Sequence, residues 1–221
     1  MHVMPLASRA ALWLLCVGVA AYAVVVYAFF PLGSLVAPAM RDAFVANSLA
    51  IHAHVFASAV ALALGPAQFS RKLRLRRPQL HRWAGRVYLA VGVGVGGVAG
   101  LVMATHASGG SWARFGFGAL ALAWLSSGVL AYRAARAQSF AAHRRWMVRN
   151  FSLTFAAVTL RLYLPAAMAA GIRFELAYPV IAWLCWVPNL LLAEIVFNRA
   201  RSPSVERASF DVKSASRTEA A

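Results

Sequence analysis

Two short phrases concentrate the side chains of this 221-residue chain that can do chemistry: His81-Arg82-Trp83-x-x-Arg86 and His143-Arg144-Arg145-Trp146-x-x-Arg149. A neutral imidazole ligates haem iron axially, and two on neighbouring helices can hold a b-type haem. Guanidinium groups beside them suit an anion, either a haem propionate or a lipid phosphate. His54 is a weaker ligand candidate, with His106 as its partner at the opposite membrane face. Arg161 stands in an otherwise apolar stretch, eleven residues beyond Asn150, which is about 17 Å along a helix. An arginine at the centre of a span costs about 2.5–3.5 kcal/mol, so Arg161 is expected to pair with Glu175, with snorkelling to the outer interface as the alternative. Glu194 is expected to pair with Arg149, and Asn189 to bond across helices.

These residues need elements that hold them, and composition says what kind. The chain is 62% hydrophobic and 13% charged, with a mean hydropathy of +0.66. Soluble domains carry about 45–50% apolar and about 25% charged residues, so the chain falls in the membrane class. Apolar runs at about 10–30, 49–69, 81–105, 115–132, 143–165 and 174–197 are each long enough, at about 18–25 residues, to span a bilayer. The expected fold is all-α: a polytopic membrane helical bundle of six transmembrane helices. The first run exceeds the apolar core of about 7–15 residues in a secretory signal, and reads as an anchor. The expected organisation is a first helix and external loop (1–48), a five-helix membrane domain (49–197), and a disordered cytoplasmic tail (198–221) rich in Ser, Ala and charge.

The net charge of +16 is a topology signal. Arg41, Arg114 and Arg173 fall on one side of the expected bundle, Arg161 falls within it, and every other Lys and Arg falls on the opposite side. Cations accumulate on the cytoplasmic side, which predicts a multi-pass protein of the bacterial cytoplasmic (inner) membrane with both termini inside. Bases split among loops beside apolar runs, with no nucleic-acid fold motif, argue against DNA or RNA as a partner.

Two faces of these helices matter. In the fifth run, His143, Met147, Asn150, Thr154, Ala157 and Arg161 share one side at helical spacing. A polar stripe on a membrane helix turns toward other helices or a cavity. In the third run, Gly85, Gly92, Gly96 and Gly100 form a stripe, along which another backbone or a planar cofactor can approach. The second run carries His54, Ser58, Ala61, Gly65 and Gln68 on one side, with His52 pointing elsewhere, and Gly65-Pro66 is expected to kink its last turn. Cys16 and Cys185 lie in apolar runs and read as packing residues.

Three readings compete for the histidines and arginines. One is interfacial anchoring, since Trp, Arg and His collect where bilayer meets water. Another is haem b held between the third and fifth spans by His81 and His143. The third is a permease or lipid-binding protein whose polar cavity takes an anionic lipid or a small solute. Arg82, Arg86, Arg144, Arg149, Arg161, Glu175 and Glu194 are the binding candidates. No GxSxG, HExxH or Walker loop is present, and no catalytic residue is assigned.

The phrases GPAQF, LHRWAGRVYL, AHRRWMVRNFSLTFAAVTLRLYLP and IAWLCWVPNLLLAE resemble a bacterial family of membrane proteins catalogued as domain of unknown function 2306, over about residues 49–197. The resemblance implies a multi-span helical membrane protein and carries no activity or cofactor. It aligns His54, His81, Arg82, Gly85, Arg86, His143, Arg144, Arg149, Arg161 and Glu194 with the family's characteristic positions, and leaves His52 and His106 outside them.

Overall fold

The computed structural model describes residues 6–198; the greater part of the expected tail, 199–221, lies outside them. Among the described residues the chain is helical, with no strand. Six helices are long and apolar enough to cross a membrane: Ala7–Phe29, Ser48–Gln68, Pro78–Thr105, Gly110–Arg136, Phe140–Ala169 and Phe174–Val196. They match the six apolar runs and are called spans one to six below. In lipid each backbone must satisfy its own hydrogen bonds, so even the glycine-rich third run is helical. Span one packs on span two, two on three, three on four and four on five, while span six lies against four and five. Two short helices decorate the connections. Arg41–Ala46 lies between spans one and two, and Arg71–Arg76 follows span two. The Ser70 hydroxyl caps the second by accepting from the Leu73 amide at 3.2 Å.

The glycine stripe seats span two, not span five. A methyl group built on Gly92 would lie 2.8 Å from the Cβ of Ala61 and 3.1 Å from its Cα. Gly100 faces the His54 ring, Gly96 faces Ser58 and Trp124, and Gly85 faces the Gln68 amide. Small residues let backbones touch, which is what holds helices together without a hydrophobic driving force. Gly92→Leu is therefore expected to destabilise the protein by about 1–3 kcal/mol through overpacking, read as a lowered melting temperature in detergent. Gly118→Ala, where an added methyl meets nothing within 4 Å, is expected to leave stability unchanged.

Three spans depart from regular α-helix at mid-length. Span three widens into π-helical turns over Tyr88–Val95. Span five pauses at Phe155, between helical segments Phe140–Thr154 and Ala156–Ala169. Span six pauses at Cys185 and Trp186, then restarts at Val187 with Pro188, which has no amide hydrogen to offer. The Cys185 carbonyl at this pause accepts from the Thr159 hydroxyl and, at 2.8 Å, from Asn189 Nδ2. Asn189 also reaches the Thr159 hydroxyl at 3.2 Å, so it does bond across helices as its depth predicts.

A buried polar knot ties spans three, four and five together. The Tyr88 hydroxyl donates to Asn150 Oδ1 at 2.7 Å and lies 2.8 Å from the Thr154 hydroxyl. Trp124 Nε1 donates to Thr154 at 2.9 Å, and Asn150 Nδ2 donates to the Trp124 carbonyl and the Ser127 hydroxyl. Tyr88 and Asn150 are both fully buried. The polar side of span five thus points into the bundle over Met147, Asn150 and Thr154, all buried.

Near the cation-rich end, Arg149 forms a two-pronged pair with Glu194, at 2.9 Å from Nε and 2.7 Å from Nη2, and its guanidinium lies 4.5 Å above the Trp146 ring. The planar fork of arginine suits that geometry. Glu194→Gln is expected to cost about 1–2 kcal/mol of stability, more than an exposed pair and less than a fully buried one. A thermal melt at two salt concentrations checks this, with the loss persisting at high salt.

A cavity in the cation-poor half

A cavity of about 640 Å³ lies in the half of the bundle away from the arginine-rich loops. Its wall draws on every span, and residues 31–47 contribute Gly33, Val36, Met40 and Phe44 as a roof. That roof is fastened where the Ser108 hydroxyl donates to the Ala39 carbonyl at 3.1 Å, and is braced within itself by Arg41 Nε donating to the Gly33 carbonyl at 3.3 Å. Most of the wall is apolar. His54, Ser58 and Arg161 are among its polar groups.

Each is placed by simple helical arithmetic. His54 and Ser58 are one turn apart on span two and share a face. His54 Nδ1 lies 2.7 Å from the Gly96 carbonyl of span three. A carbonyl only accepts, so Nδ1 carries the proton, and in the neutral form of the ring Nε2 is the acceptor. Ser58 Oγ is buried with no hydrogen-bond partner among the described residues. Arg161 donates from Nη1 to the Ala157 carbonyl one turn back, at 3.1 Å. A guanidinium has five donors, so most of its capacity is unspent. Tyr22 and Tyr27 of span one lie near it. The Trp124 and Thr154 side chains, part of the buried knot, form the floor.

The expected Arg161–Glu175 pair does not form. Glu175 is exposed and pairs with its neighbour Arg173 at 3.4 Å. Glu175 opens span six on the rim, whereas Arg161 is two turns inside the end of span five and turns toward span one. No carboxylate lines the cavity among the described residues.

His81 and His143 lie at the other end of the bundle and do not line this cavity. His143 is near enough for its charge to bear on His81. His143 Nδ1 is 2.9 Å from the Ala131 carbonyl of span four, while His81 Nδ1 is buried and unpartnered among the described residues. The room expected between spans three and five is not opened by the glycines, which face spans two and four. Two turns deeper, Tyr88 and Asn150 already bridge these spans directly. Neither observation supports a porphyrin between His81 and His143. Arg82, Arg86 and Arg144 are exposed, as befits interfacial anchors beside the exposed Trp83. His52 bonds the Ser48 carbonyl and stacks on Phe56, away from the cavity.

Sequence reasoning overlooked Tyr88 and Trp124. Tyr88 was findable: it follows His81 by the same seven residues that separate Asn150 from His143, so both lie at one depth. Trp124 carried no signal, because only tertiary packing tells a floor tryptophan from a lipid-facing one.

Residues 51–197 match the family described as predicted membrane protein (DUF2306). The chain belongs to that family. The matched region covers spans two to six and leaves span one outside it. No curated protein and no solved structure matches the chain.

Proposed function

We propose that this family member binds an anionic ligand through Arg161 in its cavity, acting as a permease or lipid-binding protein without catalysis. The observation that supports this reading is the unspent guanidinium: Arg161 lines a 640 Å³ space, meets one backbone carbonyl and faces no carboxylate. An intramembrane arginine held at such cost is a functional group by default, and phosphate or carboxylate is its natural complement. We take the arginine-rich end to be cytoplasmic in a bacterial inner membrane, which puts the cavity in the outer leaflet. The test is retention of phosphate monoesters by the purified protein in phosphatidylcholine nanodiscs, read by native mass spectrometry. A protein that retains none, whatever the alkyl chain, ends this reading.

One observation favours a second reading, haem b. His54 and His106 both line the cavity, and Arg161 is there to meet a propionate. The visible spectrum of protein purified from haem-replete cells decides it. A Soret band lost in His54→Ala supports it, and a colourless protein ends it.

A further inference from the structure

We infer that the ligand is an anionic amphiphile that enters sideways from the lipid, with its head group on Arg161 and its chain lying against span one. This rests on the anion-binding reading above and names the class of molecule. Its first support is where the cavity opens. Tyr22 and Leu162 line it and yet are 53% and 50% exposed. Tyr22 lies seven residues before the end of span one and Leu162 seven before the end of span five, each about 10 Å below that face at about 1.5 Å per residue. Both sit at acyl-chain depth, so the opening between them gives onto lipid.

The second support is the roof. The segment 31–47 lines the cavity at its water-facing end, and it is pinned to the connection between spans three and four at Ala39. The third is the distribution of polarity. Arg161, His54 and Ser58 lie about 9–15 Å below the cation-poor face on the same rise per residue, and deeper still the wall of span one offers only Gly18 and Val19. A methyl built on Gly18 meets nothing within 4 Å. Gly18 is exposed, so the cavity is open to lipid at this depth as well. A head group with an anion beside a hydroxyl suits the site best, since Arg161 offers donors and the neutral His54 ring offers an acceptor.

The experiment compares dodecyl phosphate, ethyl phosphate and dodecanol on the full protein in phosphatidylcholine nanodiscs, by native mass spectrometry. Dodecyl phosphate is expected to be retained at least tenfold better than either other probe. Gly18→Phe, which adds bulk to the wall of span one where the chain would lie, is expected to reduce its retention at least tenfold while ethyl phosphate is unaffected. Should Gly18→Phe fail to fold, Leu162→Trp at the lipid-side opening tests the same point with the same expected direction. Equal retention of ethyl and dodecyl phosphate would leave the anion site standing and overturn the amphiphile. Retention of dodecyl phosphate unchanged by Arg161→Gln and by the filling variants would place it on the arginine-rich surface, and overturn it too. Retention of neither phosphate removes the anion reading and this one together.

Discussion

Arg161→Gln is expected to weaken binding of a phosphate monoester about ten- to hundredfold. A charge-assisted hydrogen bond is worth about 1.5–3 kcal/mol, and no second Lys or Arg lines the site among the described residues. Glutamine keeps some hydrogen-bonding capacity but is shorter and removes the charge. Arg161→Lys is expected to recover only part of the loss, because an ammonium cannot grip two oxygens in a plane. The melting temperature discriminates between roles. Arg161 makes one hydrogen bond, to its own helix, so its removal is expected to leave the fold as stable or more so. A large drop in stability with unchanged ligand retention would recast Arg161 as a structural residue and end the anion reading.

The second large effect is on stability. Asn150→Ala is expected to cost about 2–4 kcal/mol, the sum of hydrogen bonds worth about 0.6–1.7 kcal/mol each within a membrane and a tyrosine hydroxyl left buried with one partner fewer. The amide of Asn150 is spent on three groups in two other spans: the Tyr88 hydroxyl, the Trp124 carbonyl and the Ser127 hydroxyl. Every member of the knot has a partner, and fully satisfied polar networks fix one arrangement of the helices. Ser152→Ala is the control. Its hydroxyl donates only to the Arg149 carbonyl of its own helix, and its loss is expected to stay within about 0.5 kcal/mol. Unfolding in mixed micelles measures both. If the two variants unfold alike, the knot does not organise the bundle.

The two predictions meet at Thr154. Its hydroxyl accepts from Trp124 Nε1 and lies beside Tyr88, and its side chain lines the cavity. The knot thus forms the cavity's floor. The proposed ligand site and the buried polar knot share a wall at Thr154.

Much of this was legible in the residues alone. Six apolar runs, each near the length needed to cross lipid, determined six helices. The one-sided distribution of arginine determined which ends of those helices lie together. The polar face of span five announced that it points inward, and Asn150 and Thr154 do. Asn189 was expected to bond across helices and Arg149 to pair with Glu194, and both hold. These follow from one-dimensional facts: period, length and the cost of bare polarity in hydrocarbon.

What sequence could not decide was which helix each face meets. A glycine stripe says that something comes close, and only tertiary packing says that it is Ala61 of span two. Arg161 and Glu175 lie on one side of the membrane by counting, yet rotation about the axis of span five sends Arg161 toward span one and leaves Glu175 with Arg173. The cavity depends on the relative positions of spans that are distant in sequence. Periodicity fixes a residue's angle on its own helix, and nothing in it fixes the angle between helices. The helices, their number and their polar faces belong to the sequence, and the space they enclose belongs to the fold.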